Sequence, residues 1–193
     1  MQTQKYYKSL FDNYQATGTT CIVTRLDKSL NLLNRNFLNI SQKTQGALAT
    51  VVLAISKLNL TNHPIILCPG NSSIPQVRVL NFVDSMLKNG SDIGLVIFES
   101  SNKRYSYVRT DKSGNVMEVA EKRVISNRAL SGLIYIRDLN LLLESSAWVF
   151  VNNIKLKNKF YISQIINYCI SKNMEIQTFE IPSTDYRRYR ITN

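Results

Sequence analysis

A run of six residues without a polar side chain, residues 93–98, constrains the fold more than any other stretch of the sequence. Successive side chains of a β-strand point to opposite faces of its sheet, so a strand that is apolar throughout must be covered on both faces. An amphipathic pattern over residues 76–89 precedes the run and predicts a helix. The sequence therefore predicts a central sheet with helices on both sides.

Strand and helix patterns alternate along the rest of the chain. We predict strands over residues 20–24, 64–68, 92–98, 105–110, 116–120, 130–136 and 174–181, and helices over residues 1–15, 48–58, 76–89, 139–143 and 158–171. Residues 26–38 predict a loop with one short helix, and residues 147–151 fit either a helix or a strand. The polar stretch 111–115, which contains Gly114, predicts the turn of a hairpin. The fold class is therefore α/β, a three-layer sandwich with a mixed, mostly parallel sheet.

The length and composition of the chain fit one domain. The chain has 193 residues, of which 44% are hydrophobic and 19% charged, and no repeat or linker divides it. We predict a single domain over residues 1–193, with a helical lead-in at residues 1–18 and a basic tail at residues 182–193. The tail contains the sequence YRRYR, which could bind phosphates or an acidic partner, but we expect this end to be disordered.

The net charge of +11, from 24 basic and 13 acidic residues, requires an explanation. Apart from the tail, the basic residues are scattered, which is typical of a solvated surface and argues against a nucleic-acid partner. The same positive field suits a small anionic ligand, such as a nucleotide or a sugar phosphate.

The cysteines and the hydropathy pattern indicate the compartment. Cys21, Cys68 and Cys169 are odd in number and form no C-x-x-C pair, so we predict reduced core thiols rather than disulfides or metal ligands. The longest near-continuous apolar run, residues 47–55, is far shorter than the roughly 20 residues of a membrane-spanning helix. No leader pattern opens the sequence, and we expect a cytoplasmic protein without a membrane span.

The hairpin region resembles a known family. It reads RYSYVRTDKSGNVMEVAEK and is followed by ALSGLIYI, and both motifs resemble the sugar-phosphate nucleotidyltransferases, also called NDP-sugar pyrophosphorylases. The resemblance implies a GT-A/nucleotidyltransferase-like fold and a sugar-phosphate site that includes Ser106, Glu121, Lys122 and Gly132. The residue types suit that role, because a carboxylate accepts hydrogen bonds from sugar hydroxyls and an ammonium pairs with phosphate. From the residues alone, the simpler interpretation is a surface hairpin whose Glu121 and Lys122 are solvated.

Two further motifs extend the resemblance. TQGALATVVLA resembles the family's base-binding segment and implies nucleotide contacts at Thr44, Gln45 and Gly46. From the residues alone, Thr44 is a helix cap whose helix start presents backbone N–H groups to an anion or a carbonyl. NKFY resembles the family's NEFY segment, adds Asn158 to the implied sugar-phosphate site and carries Lys159 in place of the family's glutamate.

The sequence departs from the family where phosphates and metal are bound. Asn71 follows the predicted strand 64–68, at the position of the family's magnesium-binding aspartate, and we assign it to nucleotide binding only, since an amide is a poor magnesium ligand. Glu180 aligns with the second metal aspartate only if one residue is deleted. The glycines never fall as G-x-G, so the family's phosphate loop has no counterpart. We therefore predict no catalytic residue and no metal ligand, and expect Mg²⁺ only if the protein is active.

The first strand of the family, which is central in its sheet, is missing as well. It would lie between the strands predicted at residues 20–24 and 64–68, and its loss leaves backbone groups of both neighbours without partners. Either those two strands pair directly, or another chain supplies the strand. The second arrangement would make the protein a homo-oligomer or one subunit of a heteromeric assembly.

These features leave three functional hypotheses. The first is a degenerate nucleotidyltransferase-like domain that binds a nucleotide, sugar phosphate or nucleotide-sugar and acts as a binding, regulatory or scaffolding protein in nucleotide-sugar or surface-polysaccharide metabolism. The second is an active nucleotidyltransferase, completed by a partner or a swapped protomer, that joins a nucleoside triphosphate to a sugar phosphate and releases pyrophosphate. The third is a basic nucleic-acid-associated protein.

Overall fold

The structure, a computed structural model, describes residues 21–24, 36–40, 43–58 and 60–189. The helix predicted at residues 1–15 and the lead-in at residues 1–18 lie outside the described residues. The described helices are α1 (Ala47–Ile55), α2 (Gln76–Asn89), α3 (Leu139–Val151) and α4 (Ser163–Ser171). The strands are β1 (Cys21–Thr24), β2 (Asn36–Asn39), β3 (Ile65–Leu67), β4 (Ser72–Ser73), β5 (Ile93–Glu99), β6 (Tyr107–Thr110), β7 (Val116–Ala120), β8 (Arg128–Ile136), β9 (Ile176–Glu180) and β10 (Arg187–Arg188).

The central sheet is mixed, as predicted, but the prediction that it is mostly parallel is wrong. Its strand order is β7-β6-β8-β5-β9, and β3 also pairs with β8. Within this sheet only the pair β5–β9 is parallel among the described strands. The reason is that β6, β7 and β8 follow one another without an intervening helix, and strands joined by short connections pair antiparallel.

Hydrophobic clusters cover both faces of this sheet, which confirms the three-layer sandwich. Along β5, Ile93, Leu95 and Ile97 join the cluster that includes residues of α1, α3 and α4. Val96 and Phe98 point the other way and join the cluster that includes residues of α2. All residues from Ile93 to Phe98 are buried, as the uninterrupted apolar run predicted. The predicted helix at residues 76–89 is confirmed at both ends.

The edge of the sheet at β3 differs from the direct strand pairing that we considered for a missing first strand. β1 pairs in parallel with β2 in a separate two-stranded sheet. Residues 36–38, which were predicted as a loop with one short helix, belong to β2. Among the described residues, β3 pairs with β8 alone. Direct pairing of β1 with β3 is therefore absent from the described part of the chain.

Two other predictions are corrected by the positions of side chains and helix ends. Residues 147–151, left ambiguous, continue α3, whose first turn is capped by Asp138 through its Oδ1, 2.8 Å from the Leu141 nitrogen. Cys169 is buried, as predicted for a core thiol, but Cys68 is exposed. Cys68 directly follows β3, where the chain leaves the sheet.

The tail is ordered as far as it is described, so the prediction of a disordered end is wrong for residues 182–189. A short 3-10 helix (Ser183–Asp185) leads into β10, which pairs antiparallel with β4. The ring of Tyr186 stacks on Phe98 with a centroid separation of 4.2 Å. Apolar and aromatic burial, rather than the basic residues, therefore holds the tail on the domain.

Candidate functional site

Glu121 is held by two hydroxyl groups. Tyr107 pairs with Ala120 in the β6–β7 hairpin, and this register places Ser106, before β6, beside Glu121, after β7. The Ser106 hydroxyl donates to Glu121 Oε2, and the hydroxyl of Ser163, the first residue of α4, donates to the same oxygen at 2.9 Å. Among the described residues Oε1 has no donor. The site thus contains a half-buried, oriented carboxylate with one oxygen available to a ligand.

Lys122 stands next to this carboxylate in an unusual backbone conformation. Its φ is +53°, in the left-handed region that side chains other than glycine and asparagine rarely adopt. Its ammonium Nζ lies 3.0 Å from the Tyr161 hydroxyl and 4.9 Å from the centroid of the same ring. Tyr161 therefore orients the exposed cation of the residue that follows Glu121 in the sequence. Backbone strain of this kind costs about 1–3 kcal/mol and is concentrated at functional sites.

The start of α1 packs against the chain just before Tyr161. Gly46 has a φ of +110°, and a Cβ there would lie 2.3 Å from the Phe160 carbonyl oxygen. The Phe160 nitrogen donates to the Gln45 carbonyl at 2.7 Å, and the Leu48 nitrogen donates to the Phe160 carbonyl at 3.2 Å. We call this set of contacts the Gly46–Phe160 contact. It links the implied base-binding segment to the residues that hold Lys122.

The cap predicted at Thr44 is not formed. Gly46 occupies the N-cap position without a side-chain cap, and the Thr44 hydroxyl instead contacts the Gly46 carbonyl and the Thr50 hydroxyl. One of the backbone N–H groups at this helix start, that of Leu48, is already taken by Phe160. The anion site expected at the start of this helix is therefore partly filled by the protein's own chain.

Gly132 and Asn71 lie where β3 ends. The pairing of β8 with β5 shifts in register between Leu95 and Ile97, and Gly132 lies in the resulting bulge with a φ of +89°. A Cβ on Gly132 would lie 2.8 Å from Pro69 Cγ, two residues before Asn71. The Asn71 carbonyl accepts a hydrogen bond of 2.8 Å from the nitrogen of Tyr189 in the tail. The bulge thus lets the segment after β3 approach the middle of β8.

Asn158 lies apart from the other residues of the implied site. It is exposed at the tip of a two-residue hairpin, in which Lys157 and Asn158 have φ values of +49° and +58° between the bridged residues Leu156 and Lys159. Two positive φ values are what a type I′ turn requires, and asparagine is favoured there. Among the described residues no hydrogen bond joins Asn158 to the other implied site residues.

Apart from Thr44, Gln45 and Gly46, which belong to the start of α1, the other site residues form two connected groups. The Glu121 side consists of Ser106, Glu121, Lys122, Tyr161 and Ser163, and the Asn71 side consists of Pro69, Asn71, Ser72 and Tyr189. They meet near Gly132 in β8. Gly132 lies against Pro69 of the Asn71 side, and Leu130, two residues before Gly132, donates its nitrogen to the Ser106 carbonyl of the Glu121 side at 2.8 Å. Sequence reasoning missed Ser163 and Tyr189 as members, and it quoted Tyr161 within the NKFY motif without assigning it a role.

The charges of the Asn71 side do not fit a magnesium site built from carboxylates. Asn71 contributes an amide, and Glu180 is exposed at the end of β9. In the described part of the chain no group of three or more histidine, cysteine, aspartate or glutamate side chains could hold a metal ion. The donor set therefore differs from the two-aspartate arrangement that the resemblance implies.

The tail brings a half-buried phenol to the Asn71 side. Burial raises the pKa of Tyr186 to about 12, helped by the nearby Tyr105 and opposed by Arg188 and by a hydrogen bond with Ser72. Tyr186 is thus a neutral anchor at ordinary pH.

Comparisons with known proteins establish the fold. Nothing matches among family models or in the sequences of curated proteins. Among solved structures, a nucleoside-diphosphate-sugar pyrophosphorylase from Vibrio cholerae RC9 is similar, with a TM-score of 0.79 and 18% identity over 96% of this chain and 82% of that chain. A protein assigned as a glucose-1-phosphate thymidylyltransferase from Bacillus anthracis, in complex with a sucrose, gives a TM-score of 0.67 and 15% identity over 91% of this chain and 73% of that one.

The fold is therefore that of the sugar nucleotidyltransferases, as the sequence motifs predicted. At these identities the likeness concerns the arrangement of the chain, and the role of each residue rests on the geometry of the site. In the part of the chain that the structure describes, no helix combines the length and apolar character needed to cross a membrane.

Proposed function

We propose that this protein binds a sugar phosphate or a nucleotide-sugar on the Glu121 side and serves as a cytoplasmic binding, regulatory or scaffolding subunit in nucleotide-sugar or surface-polysaccharide metabolism. One observation carries the proposal. The carboxylate of Glu121 is oriented by two hydroxyls on one oxygen, while the other oxygen has no donor among the described residues, and an ammonium lies on the adjacent residue. Such a pair suits a ligand with both hydroxyl and phosphate groups.

Nucleotidyl transfer by this chain alone is not part of the proposal. Transfer at a phosphate depends mostly on positioning and on neutralising charge. The sequence has no G-x-G loop to hold a triphosphate, and the Asn71 side offers an amide where a metal-binding carboxylate would be needed. We infer that this chain has kept ligand binding but not catalysis.

Binding of glucose 1-phosphate and a panel of related sugar phosphates to the purified protein, measured by isothermal titration calorimetry, tests the proposal. Lys122→Ala should weaken binding by about tenfold or more, because it removes one charge-assisted contact to phosphate. Lys112→Ala, in the exposed turn of the hairpin, removes the same charge away from the site and should leave the affinity unchanged. Unchanged affinity in Lys122→Ala would refute the assignment of the site.

An active enzyme completed by another chain is the second candidate, and the edge of β3 favours it. Because β3 pairs with β8 alone among the described residues, an added strand could pair along its other edge. Pyrophosphate release from nucleoside triphosphates, sugar phosphates and magnesium distinguishes the candidates. Pyrophosphate release by the purified protein alone would overturn the proposal that this chain is inactive. Release only after a copurifying subunit is added would support the active enzyme completed by another chain.

A further inference from the structure

Three arginines near the tail differ from the other described arginines in having neither an acidic partner nor a side-chain hydrogen bond among the described residues. Arg104, Arg187 and Arg188 are exposed and form no salt bridge with any described carboxylate. Elsewhere Arg128 bonds to the Thr110 hydroxyl. The paired arginines are Arg78 with Asp185, Arg109 and Arg123 with Glu118, and Arg137 with Asp92 and Asp138.

Two of the three unpaired arginines lie against one aromatic ring. The guanidinium carbons of Arg104 and Arg188 are 5.9 Å and 5.6 Å from the centroid of the Tyr105 ring. That ring is itself fixed by edge contacts with Phe98 at 5.1 Å and Tyr186 at 5.8 Å. A rigid ring restricts the guanidinium groups before any ligand arrives, which lowers the entropic cost of binding.

This pair of arginines lies on the α2 face of the sheet, where Tyr105 packs in the cluster of Phe98 and Tyr186, next to the Asn71 side. Tyr105 directly precedes Ser106, and Arg188 pairs with Ser72, the residue after Asn71. Arg187, whose side chain faces the other way along β10, lines a cavity of about 300 Å³ together with Ser73, Tyr189 and Asp185, whose carboxylate is paired with Arg78. Unpaired positive charge thus lies beside the position where the amide of Asn71 replaces a carboxylate.

We propose that Arg104 and Arg188 form a clamp for the diphosphate of a nucleotide or nucleotide-sugar, and that this clamp neutralises phosphate charge without a divalent metal. Guanidinium groups suit this task, because their planar N–H pairs bind two phosphate oxygens at once. The inference rests on the proposed function, since it supplies the phosphate end of a ligand whose sugar is held on the Glu121 side. It predicts that binding of diphosphate persists when magnesium is removed.

The test uses inorganic pyrophosphate as the probe, titrated into the full chain by calorimetry, first with EDTA and then with magnesium. We expect binding in EDTA, weakened about tenfold to a hundredfold by Arg188→Ala or Arg104→Ala, as for loss of a charged hydrogen bond. Arg188→Lys keeps the charge but loses the planar fork, and should give an intermediate affinity. The matched control is Arg109→Ala, which removes an exposed arginine that is paired with Glu118 away from the clamp. It should leave the affinity for pyrophosphate unchanged.

Three results would overturn the clamp. The first is that pyrophosphate binds only when magnesium is present. The second is that Arg109→Ala and Arg188→Ala lower the affinity for pyrophosphate equally. The third is that pyrophosphate fails to bind, while the affinity for oligonucleotides rises with their length. The last result would favour the nucleic-acid hypothesis.

The clamp and the proposed function fail in different ways. If Lys122→Ala abolishes glucose 1-phosphate binding while Arg188→Ala leaves pyrophosphate binding unchanged, the sugar-phosphate site stands and the clamp is wrong. If pyrophosphate binding depends on Arg188 but no sugar phosphate binds, the clamp stands and the proposed function is wrong.

Discussion

The Glu121 side and the Asn71 side meet at Gly132, yet they are held by different kinds of contact. On the Glu121 side, side chains bind side chains: two hydroxyls fix a carboxylate, and a phenol fixes an ammonium. On the Asn71 side, the main chain of Tyr189 binds the main chain of Asn71. The tail is anchored there mainly by the stacked ring of Tyr186, with hydroxyl contacts to Ser72 and Ser73 beside it.

This difference explains why the two sides differ in how far the sequence resembles the family. Contacts between side chains require particular residue types, and here the motif survives in the letters EK. Contacts between main chains tolerate almost any residue, so β10 can lie beside β4 without a recognisable motif. The Asn71 side carries an uncharged amide, and in β10 the basic residue Arg188 lies opposite Ser72, the residue after Asn71.

The largest expected effect comes from breaking the Gly46–Phe160 contact, which supports the Glu121 side. Gly46→Ala should lower the free energy of unfolding by about 2–4 kcal/mol, because it combines an unfavourable φ with a clash against backbone atoms. Denaturation in urea would measure this loss. Gly114→Ala is the control, since Gly114 has a φ of +90° but nothing within 4 Å of the added Cβ, and should cost only about 1–2 kcal/mol. Equal losses would show that the contact with Phe160 contributes nothing.

The next effect concerns the two hydroxyls on Glu121. Ser106→Ala and Ser163→Ala should each cost about 1–2 kcal/mol of unfolding free energy, the range for a hydrogen bond to a charged, half-buried group. The double variant should cost more than the sum, because the first loss leaves one donor on Oε2 and the second leaves none. A double-mutant cycle in urea measures this coupling, and Ser113→Ala in the exposed turn serves as the control. Strict additivity would mean that the two hydroxyls act independently.

Most of the fold could be predicted because local patterns and burial agree. The apolar run at residues 93–98 required cover on both faces, and the structure supplies it from α2 on one face and α1, α3 and α4 on the other. Burial on both faces does not reveal strand direction, because such a strand looks alike in parallel and antiparallel pairs. The prediction of a mostly parallel sheet failed because the strands predicted at residues 105–110, 116–120 and 130–136 have no helix between them, and strands joined by short connections pair antiparallel.

In the candidate site, too, contacts that follow from local patterns could be predicted, and contacts between distant parts of the sequence could not. Glu121 and Ser106 could be placed together because a hairpin register fixes which residues are opposite. Ser163 could not, since it reaches Glu121 from 42 positions later in the sequence, and no local pattern encodes that contact. The tail was misjudged because its basic residues dominate the composition, whereas the burial of Tyr186 decides its position.

The pH dependence of stability tests the anchor of the Asn71 side. The pKa of Tyr186 is raised from 10.0 in the unfolded chain to about 12, chiefly by burial, so the folded state keeps a proton that the unfolded state has lost. The stability of the wild type should therefore be fully present below about pH 10 and fall as pH rises toward about 12. Tyr186→Phe cannot ionise, and its unfolding free energy should fall less over that interval.

Comparison of the two proteins isolates this group. Tyr168, bonded to Glu144, and the buried Cys169 also have pKa values raised to about 12, and both remain in the variant. Denaturant titrations at several alkaline pH values provide the measurement. Parallel pH curves for wild type and variant would contradict the burial of Tyr186 and leave the tail without its anchor.

The smallest effect is expected from the ion pair between the tail and α2. Arg78 Nε lies 2.8 Å from Asp185 Oδ2, and the two side chains are 39% and 25% exposed. Exposed pairs contribute about 0–1 kcal/mol, so Arg78→Ala should lower the unfolding free energy by less than about 1 kcal/mol, and by less still in high salt. Arg109→Ala, which breaks a similarly exposed pair with Glu118 in the hairpin, should have an effect of the same size. A much larger loss for Arg78→Ala would show that charge, rather than the ring of Tyr186, holds the tail against the Asn71 side.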